Sequence, residues 1–174
     1  MTKHKIYLAH PISTSGEFAD SIRVANEIRR LGFDVYAPAE NSSINDKTNE
    51  PSPQDIYEGD ISKIVTSDIF VINVTGGHQD GTISEIGVVA GLNEMKKRVN
   101  ENVNEDDREY MPILAYTSNA RLLRPQFSNG MASASANHLV LGMIERWGEW
   151  LGDEKALLKR LRELAKVNNG KVTE

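Results

Sequence analysis

The sequence predicts an α/β fold in which a parallel β-sheet carries helices on both faces. Short runs that are apolar throughout, such as Ile69 to Val74, are typical of strands buried on both sides. These runs alternate with segments whose apolar residues recur at helical spacing, such as Glu17 to Leu31. Alternating strands and helices indicate a parallel sheet, and such sheets bind ligands beyond the carboxyl ends of their strands.

The beginning of the chain predicts two strands and a helix. The run KIYLA, Lys5 to Ala9, has the composition of a buried strand. In the helix from Glu17 to Leu31, Thr14 and Glu17 have the spacing of a capping box, and Gly32 ends the helix. The run DVYAP, residues 34 to 38, predicts the second strand, which its proline closes.

A polar loop then leads to two further helices and two further strands. Ser52 and Pro53 are a favourable N-cap and first helical residue for a helix that reaches about Thr66. The strand from Ile69 to Val74 follows it. A third helix is predicted from Thr82 to about Lys97, and a fourth strand from Tyr110 to Tyr116.

The last part of the chain predicts a charged surface loop, at 98–109, and an amphipathic helix from Asp153 to Val167. We expect that helix to pack on the domain or on a sister subunit. The whole chain, 1–174, is predicted to be one domain with its core at about 5–145 and a C-terminal helical extension at about 150–168.

Composition excludes several classes of function. The net charge of −5 and the lack of a basic stretch argue against nucleic-acid binding. The chain has no cysteine, which excludes thiol nucleophiles, disulfides and cysteine-based zinc sites. The apolar run near the start is too short for a signal peptide, and none approaches membrane-spanning length. We therefore expect a soluble, cytoplasmic protein without a membrane partner.

The common cofactor and nucleophile motifs are also missing. The four histidines, at 4, 10, 78 and 138, lack metal-ligand spacing, so no metal is expected. The glycines of TGGHQDG match neither a Walker loop nor a dinucleotide fingerprint, so no cofactor is expected. A triad of Ser13, His10 and Asp60 lacks the G-x-S-x-G elbow that hydrolases use.

Carboxylates stand out at the predicted ligand-binding edge of the sheet. Thr82 and Glu85 form T-x-x-E at a helix start, so Glu85 is either a capping residue or an ionised group aimed at a ligand. Asp60 falls on or beside the apolar face of its helix, where a carboxylate must be hydrogen-bonded or open into a pocket; we favour the pocket. Asp80 before Gly81, and Asp68 before the third strand, are also typical of turns.

The chain resembles the nucleoside 2-deoxyribosyltransferase family. The resemblance runs from about Lys5 to Ala115, in KIYLAHP, DVYAPAEN, GDISKIVTSDIFVIN and DGTISEIGVVAGL, with a further family element in FSNGM, 127–131. It implies a flavodoxin-like fold and the transfer of 2-deoxyribose between nucleobases with retention of configuration. The substrates would be a deoxyribonucleoside and a free nucleobase.

The resemblance also implies roles for individual residues. Glu85 would be the nucleophile that forms a deoxyribosyl ester, Asp60 would bind the base and handle its proton, and Tyr7 would orient Glu85. Retaining glycosyl transfer needs such a pair of carboxyl groups with separated pKa values. Asn129 would contact the sugar in a neighbouring subunit's site, which requires a homo-oligomer such as a dimer or hexamer.

Other residues are expected to contact the substrate at places where the chain departs from the family pattern. Many members carry an aspartate six residues before the glutamate, which holds a sugar hydroxyl; here Gln79 stands there and Asp80 is five before. The C-terminal tyrosine of several transferases is replaced by NNGKVTE. The remaining substrate-binding candidates lie on the loops after the strands: His10, Pro11, Glu40, Asn41 and Gly81.

Two alternatives to the transferase remain on this scaffold. A 2'-deoxynucleoside 5'-monophosphate N-hydrolase shares the catalytic glutamate but must bind a phosphate, and its relatives use a loop with serine and arginine after the first strand. HPISTSG offers hydroxyl groups and a helix N-terminus, but the first arginine is Arg23. A non-catalytic nucleotide-sensing module would not need Glu85, Asp60 and Tyr7 together.

Overall fold

The computed structural model describes residues 3–46, 48, 50–77, 79–99, 110–123 and 136–170. In these residues a sheet of five parallel strands has the order β2-β1-β3-β4-β5. Its strands are β1 Lys5–Ala9, β2 Asp34–Tyr36, β3 Ile69–Asn73, β4 Ile113–Tyr116 and β5 Gly148–Gly152. The helices are α1 Ser15–Arg30, α2 Ser42–Asn45, α3 Pro53–Ile64, α4 Asp80–Val99, α5 His138–Trp147 and α6 Glu154–Gly170, with a 3-10 helix at Pro38–Glu40. The predicted flavodoxin-like, doubly wound α/β fold is confirmed.

The side chains of the central strands divide between two apolar layers. On β1, Ile6 and Leu8 face the layer that contains α1 and α6. Tyr7 and Ala9 face the opposite layer, to which α3, α4 and α5 contribute. All four side chains are fully buried. Burial on both faces explains why the central strands β1, β3 and β4 are apolar at nearly every position instead of alternating.

Local sequence signals place the starts of α1 and α3 correctly. Thr14 accepts from the backbone N–H of Glu17, and the Glu17 carboxylate accepts from the N–H of Thr14, so the capping box is closed in both directions. Ser52 caps α3 in the same way, with Pro53 as its first residue. Gly32, just after α1, has φ of 98°, a left-handed conformation that favours glycine. Asp68 accepts from the backbone N–H of Lys5 at 2.7 Å, so its side chain joins the approach to β3 to the start of β1 instead of closing a local turn.

The C-terminal part of the fold differs from the sequence-based expectation. No pattern predicted α5 or β5, and β5 forms one edge of the sheet, where it pairs with β4. A Cβ at Gly148 would lie 1.8 Å from the carbonyl oxygen of Ile113, so this strand needs a glycine where strand-forming residues are expected. The helix expected as an extension, α6, buries Leu157 and Leu161 completely against the sheet, because β5 brings the chain back to that face.

None of the described helices is long and apolar enough to cross a membrane.

A buried asparagine joins α4 to the chain that enters β4. Asn93 is fully buried, donates to the carbonyl of Met111 at 2.9 Å and accepts from its N–H at 3.0 Å. Asn93→Ala leaves both backbone groups without a partner, so we expect a loss of about 2 kcal/mol in the free energy of unfolding. Urea denaturation measures it. Asn26→Ala, at an exposed residue that accepts only from Arg29 among the described residues, should change less than about 0.5 kcal/mol; equal effects would contradict this role.

Candidate active site

A cavity of about 220 Å³ lies at the carboxyl ends of β1, β2 and β3, the edge predicted to bind ligands. The walls include most of the residues selected from the sequence: His10, Pro11, Asp60, Gln79, Asp80, Gly81 and Glu85. They come from the loop after β1, from α3 and from the start of α4. Residues far apart in the sequence therefore meet at one edge of the sheet.

A hydrogen bond from Tyr7 holds the carboxyl group of Glu85. The tyrosine is fully buried in β1, and its hydroxyl donates to Glu85 Oε1 at 2.5 Å. The alternative of a Thr82–Glu85 capping box is wrong, because α4 begins at Asp80 and Thr82 is buried within its first turn. Glu85 thus belongs to the second turn of α4, where its carboxyl group faces the cavity instead of closing the helix end.

The protonation of Glu85 is set by opposing contacts. Burial raises its pKa to about 8; the hydrogen bond from Tyr7 opposes this rise, and the nearby Asp60 carboxyl adds to it. Burial also raises the pKa of Tyr7 far above its usual range, with Glu85 and Asp60 adding to the effect. Tyr7 therefore remains a hydrogen-bond donor at any physiological pH.

Asp60 is the second carboxyl group of the cavity. Tyr36, the last residue of β2, donates to its Oδ1 at 3.3 Å. Burial raises the pKa of Asp60, and the hydroxyl groups of Tyr36 and Tyr7 oppose that rise. The sequence did not single out Tyr36, although an aromatic residue at the carboxyl end of a strand was visible in DVYAP. The raised pKa values of Asp60 and Glu85 thus favour retention of a proton by this pair of carboxyl groups.

Gln79 lies in the cavity wall with a fixed orientation. Its Oε1 accepts from the backbone N–H of Thr75 at 2.9 Å and from the Thr75 hydroxyl at 2.8 Å. A backbone N–H can only donate, so the oxygen must face Thr75 and the amide NH₂ points elsewhere. Among the described residues that NH₂ has no hydrogen-bond partner, and it is available to a ligand. Asp80 is exposed in the first turn of α4.

Both ring nitrogens of His10 contact other groups of the protein. Its Nδ1 lies 2.7 Å from the carbonyl of Pro11, and its Nε2 lies 2.9 Å from Asn73 Nδ2 and 3.3 Å from Asp20. Because a carbonyl only accepts, Nδ1 carries a proton. Both ring nitrogens are in use, so the structure gives no support to a triad with Ser13.

The remaining candidates lie apart from the cavity wall. Glu40 pairs with both guanidinium nitrogens of Arg29, and Asn41 donates to the Tyr36 hydroxyl at 2.9 Å. Neither is among the residues that line the cavity in the described structure. Asn129 lies outside the described residues. In the described parts of the chain, no cluster of three or more histidine and acidic side chains could hold a metal ion.

Comparison with known proteins shows the family of this chain. The family model for nucleoside 2-deoxyribosyltransferase matches residues 6–144. The chain belongs to the nucleoside 2-deoxyribosyltransferase family. The match extends from β1 into α5 and so includes Tyr7, Asp60 and Glu85. A search of curated proteins finds no match.

Solved structures share the fold of this deoxyribosyltransferase family member. A conserved protein from Enterococcus faecalis V583 superimposes with a TM-score of 0.71 at 24% identity, over 93% of this chain and 99% of that one. A 2-deoxyribosyltransferase from the psychrotolerant bacterium Bacillus psychrosaccharolyticus gives a TM-score of 0.60 at 18% identity, over 88% and 90% of the two chains. The likeness covers nearly the whole chain.

Proposed function

We propose that the protein transfers 2-deoxyribose between nucleobases through a covalent ester on Glu85. The observation that carries the proposal is the carboxyl group of Glu85 itself. Its Oε1 is held by the Tyr7 hydroxyl, Oε2 has no hydrogen-bond partner among the described residues, and Glu85 lines the cavity together with Asp60. An oriented carboxylate with one free oxygen next to a second carboxyl group is the arrangement that retaining glycosyl transfer requires.

The proton retained by the two carboxyl groups has a use in this reaction. In the free protein the pKa of about 8 keeps this proton on Glu85, and it passes to Asp60 when the substrate binds. Asp60 then delivers it to the departing base while the bond between C1' and the base nitrogen breaks, and the bond's electron pair stays with the base. Glu85, left ionised, attacks C1' with Oε2 and forms the deoxyribosyl ester. An incoming base then attacks C1', its proton passes to Asp60, and the Glu85 carboxylate is released. Two displacements at C1' retain its configuration.

Features of the cavity favour nucleosides over nucleoside 5'-monophosphates. The N-terminus of α1, the natural anion site of this edge, is already occupied by the Glu17 carboxylate of the capping box. Among the described residues lining the cavity there are carboxyl groups and no lysine or arginine. Arg23, the first arginine of the chain, is paired with Asp20 and Glu154. This charge distribution opposes a phosphate and supports the transferase over the N-hydrolase.

The function is tested by chromatography of two substrate mixtures. The first contains thymidine with free adenine, with deoxyinosine and adenine as a purine-only control; the second contains deoxynucleoside 5'-monophosphates alone. We expect new deoxyadenosine in the first mixture and no free base from the second. Base released only from the monophosphates would overturn the proposal in favour of the hydrolase. Tight nucleoside binding without any product would favour a non-catalytic sensing module.

Gln79 is expected to donate a hydrogen bond to a hydroxyl group of the sugar. Gln79→Met keeps the size of the side chain but removes this donor, so KM for the deoxynucleoside should rise about tenfold with kcat little changed. Gln79→Glu should recover much of the loss, because the hydroxyl can turn and donate to the carboxylate. Steady-state kinetics with 3'-deoxy- and 5'-deoxythymidine identify the hydroxyl, since one of these substrates should erase the difference. A difference that persists with both would instead indicate a structural effect through Thr75.

A further inference from the structure

Three side chains form a directed chain of hydrogen bonds that ends at Asp60. The backbone N–H of Ser43 donates to Asn41 Oδ1 at 3.1 Å, and the Ser43 hydroxyl donates to the same oxygen. The backbone donor fixes the orientation of the Asn41 amide, so Nδ2 is the atom that faces Tyr36. Asn41 Nδ2 donates to the Tyr36 hydroxyl oxygen at 2.9 Å.

The direction of the next bond follows from the first. Since the Tyr36 oxygen accepts from Asn41, its own proton is free to be donated to Asp60 Oδ1, at 3.3 Å. Burial raises the pKa of Tyr36 to about 12, with Asn41 opposing and Asp60 adding to the rise, so the hydroxyl keeps its proton. The Tyr36 ring is fixed beside the Tyr7 ring, with centroids 5.4 Å apart, and Lys63 Nζ lies 5.7 Å from its centroid.

The helix that carries Asp60 has a small apolar anchor. Ile64 is the one fully buried side chain of α3, Ile61 packs partly buried against the same core, and Tyr57 on the same helix is 63% exposed. A helix held by so little apolar area does not by itself fix a carboxyl group to within a few tenths of an ångström. The bond from β2 to Asp60 supplies a tie between α3 and the sheet at the point where geometry matters.

We propose that Tyr36, oriented by Asn41, is a positioning residue that holds Oδ1 of Asp60 and leaves Oδ2 turned toward the nucleobase. The role in base exchange rests on the proposed function. Asn41 then acts on the reaction from outside the cavity wall, through Tyr36. It also links the loop after β2, whose residues Pro38, Ile44 and Asn45 line the cavity, to the group that handles the proton of the base.

Two matched variants test the chain of bonds. Tyr36→Phe keeps the ring but removes the donor. Asn41→Asp keeps a good N-cap for α2, yet it replaces the donating NH₂ with an acceptor that draws the Tyr36 proton away from Asp60. The first readout is the titration of Asp60, by ¹³C NMR of aspartate-labelled protein without substrate, assigned with Asp60→Asn. The groups that face Asp60 in the described structure are Glu85, Tyr7 and Tyr36, with Lys63 one turn away on α3.

Both substitutions should move the Asp60 titration to higher pH, because a donor to its charged form is lost. Asn41→Asp also brings a new negative charge near Asp60, and Tyr36→Phe does not remove that part of its effect. The double variant should therefore shift the titration by less than the sum of the two single shifts, because the part that acts through the hydroxyl group counts only once. In base exchange, kcat/KM should fall about tenfold in each single variant, and the limb of its pH profile that Asp60 governs should move upward. Tyr57→Phe, on the exposed side of α3, should change neither measurement.

Three results would overturn the proposal: an Asp60 titration in Tyr36→Phe that matches the wild type, an Asn41→Asp variant that titrates like the wild type, or effects that add in the double variant. The NMR titration needs no turnover, so it separates this inference from the proposed function. A wild type without base exchange but with the predicted shifts would refute the function and keep the positioning role. Normal base exchange with unshifted Asp60 titrations in the variants would support the function and refute the positioning role.

Discussion

Replacing Glu85 by glutamine is expected to lower kcat/KM for base exchange by at least about 10³-fold. Glutamine keeps the shape of the side chain and can still accept from the Tyr7 hydroxyl, but it cannot form the ester with C1'. Exchange between thymidine and adenine, followed by chromatography, measures the loss. The effect should fall on the chemical step, because the cavity and its contacts to the sugar are left in place.

A matched control separates this effect from a general loss of acidic charge. Glu58→Gln changes an exposed glutamate on α3 and should keep the wild-type rate. Exchange that persists in Glu85→Gln at more than about a tenth of the wild-type rate would remove Glu85 from the role of nucleophile.

The same substitution should make the protein more stable at alkaline pH. The pKa of Glu85 is raised from 4.5 to about 8 by burial, so folding favours its protonated form. The stability that this carboxyl contributes is fully present below about pH 4.5 and is lost as the pH rises through about 8. Above that pH the wild type has lost on the order of 4 kcal/mol that Glu85→Gln, which cannot ionise, retains.

Urea denaturation of both proteins from about pH 4 to about pH 9 measures this difference. The two free energies of unfolding should be similar at the acidic end and diverge in favour of the glutamine variant as the pH rises. Glu58→Gln should follow the wild type across the range. Parallel curves for Glu85→Gln and the wild type would show that Glu85 ionises without cost, and that its surroundings are more polar than the structure implies.

Strand positions and helix starts could be predicted from the sequence because they rest on local signals. The fully apolar runs that became β1, β3 and β4, and the capping residues Thr14 and Ser52, act within a few residues. By contrast, β5 could not be predicted, because its backbone approaches Ile113 so closely that Gly148 is required. Its sequence, GEWLG, has glycine at Gly148 where a strand usually has a β-branched or aromatic residue, because a larger residue would clash with Ile113.

The sequence predicted the acidic residues of the candidate site but not the hydrogen bonds that orient them. The carboxyl groups of Asp60 and Glu85 were visible as acids next to apolar runs, but the alternative of a helix cap at Glu85 was settled by the start of α4 at Asp80. Side-chain hydrogen bonds were not visible in the sequence: that between Tyr36 and Asp60, which are distant in the chain, and those that orient the Gln79 amide toward Thr75. The direction of a hydrogen bond depends on which partner is held by a backbone N–H, and that is a property of the folded chain.

The central claim is most directly tested by trapping the deoxyribosyl enzyme. The protein is mixed with a 2-fluoro-substituted deoxynucleoside, whose fluorine slows both displacements, then quenched, digested and examined by mass spectrometry. The account predicts a mass gain of one fluorodeoxyribosyl group on the peptide containing Glu85, and its removal when adenine is added before the quench. Base release with no sugar attached to Glu85, or with the sugar attached to a different residue, would contradict it.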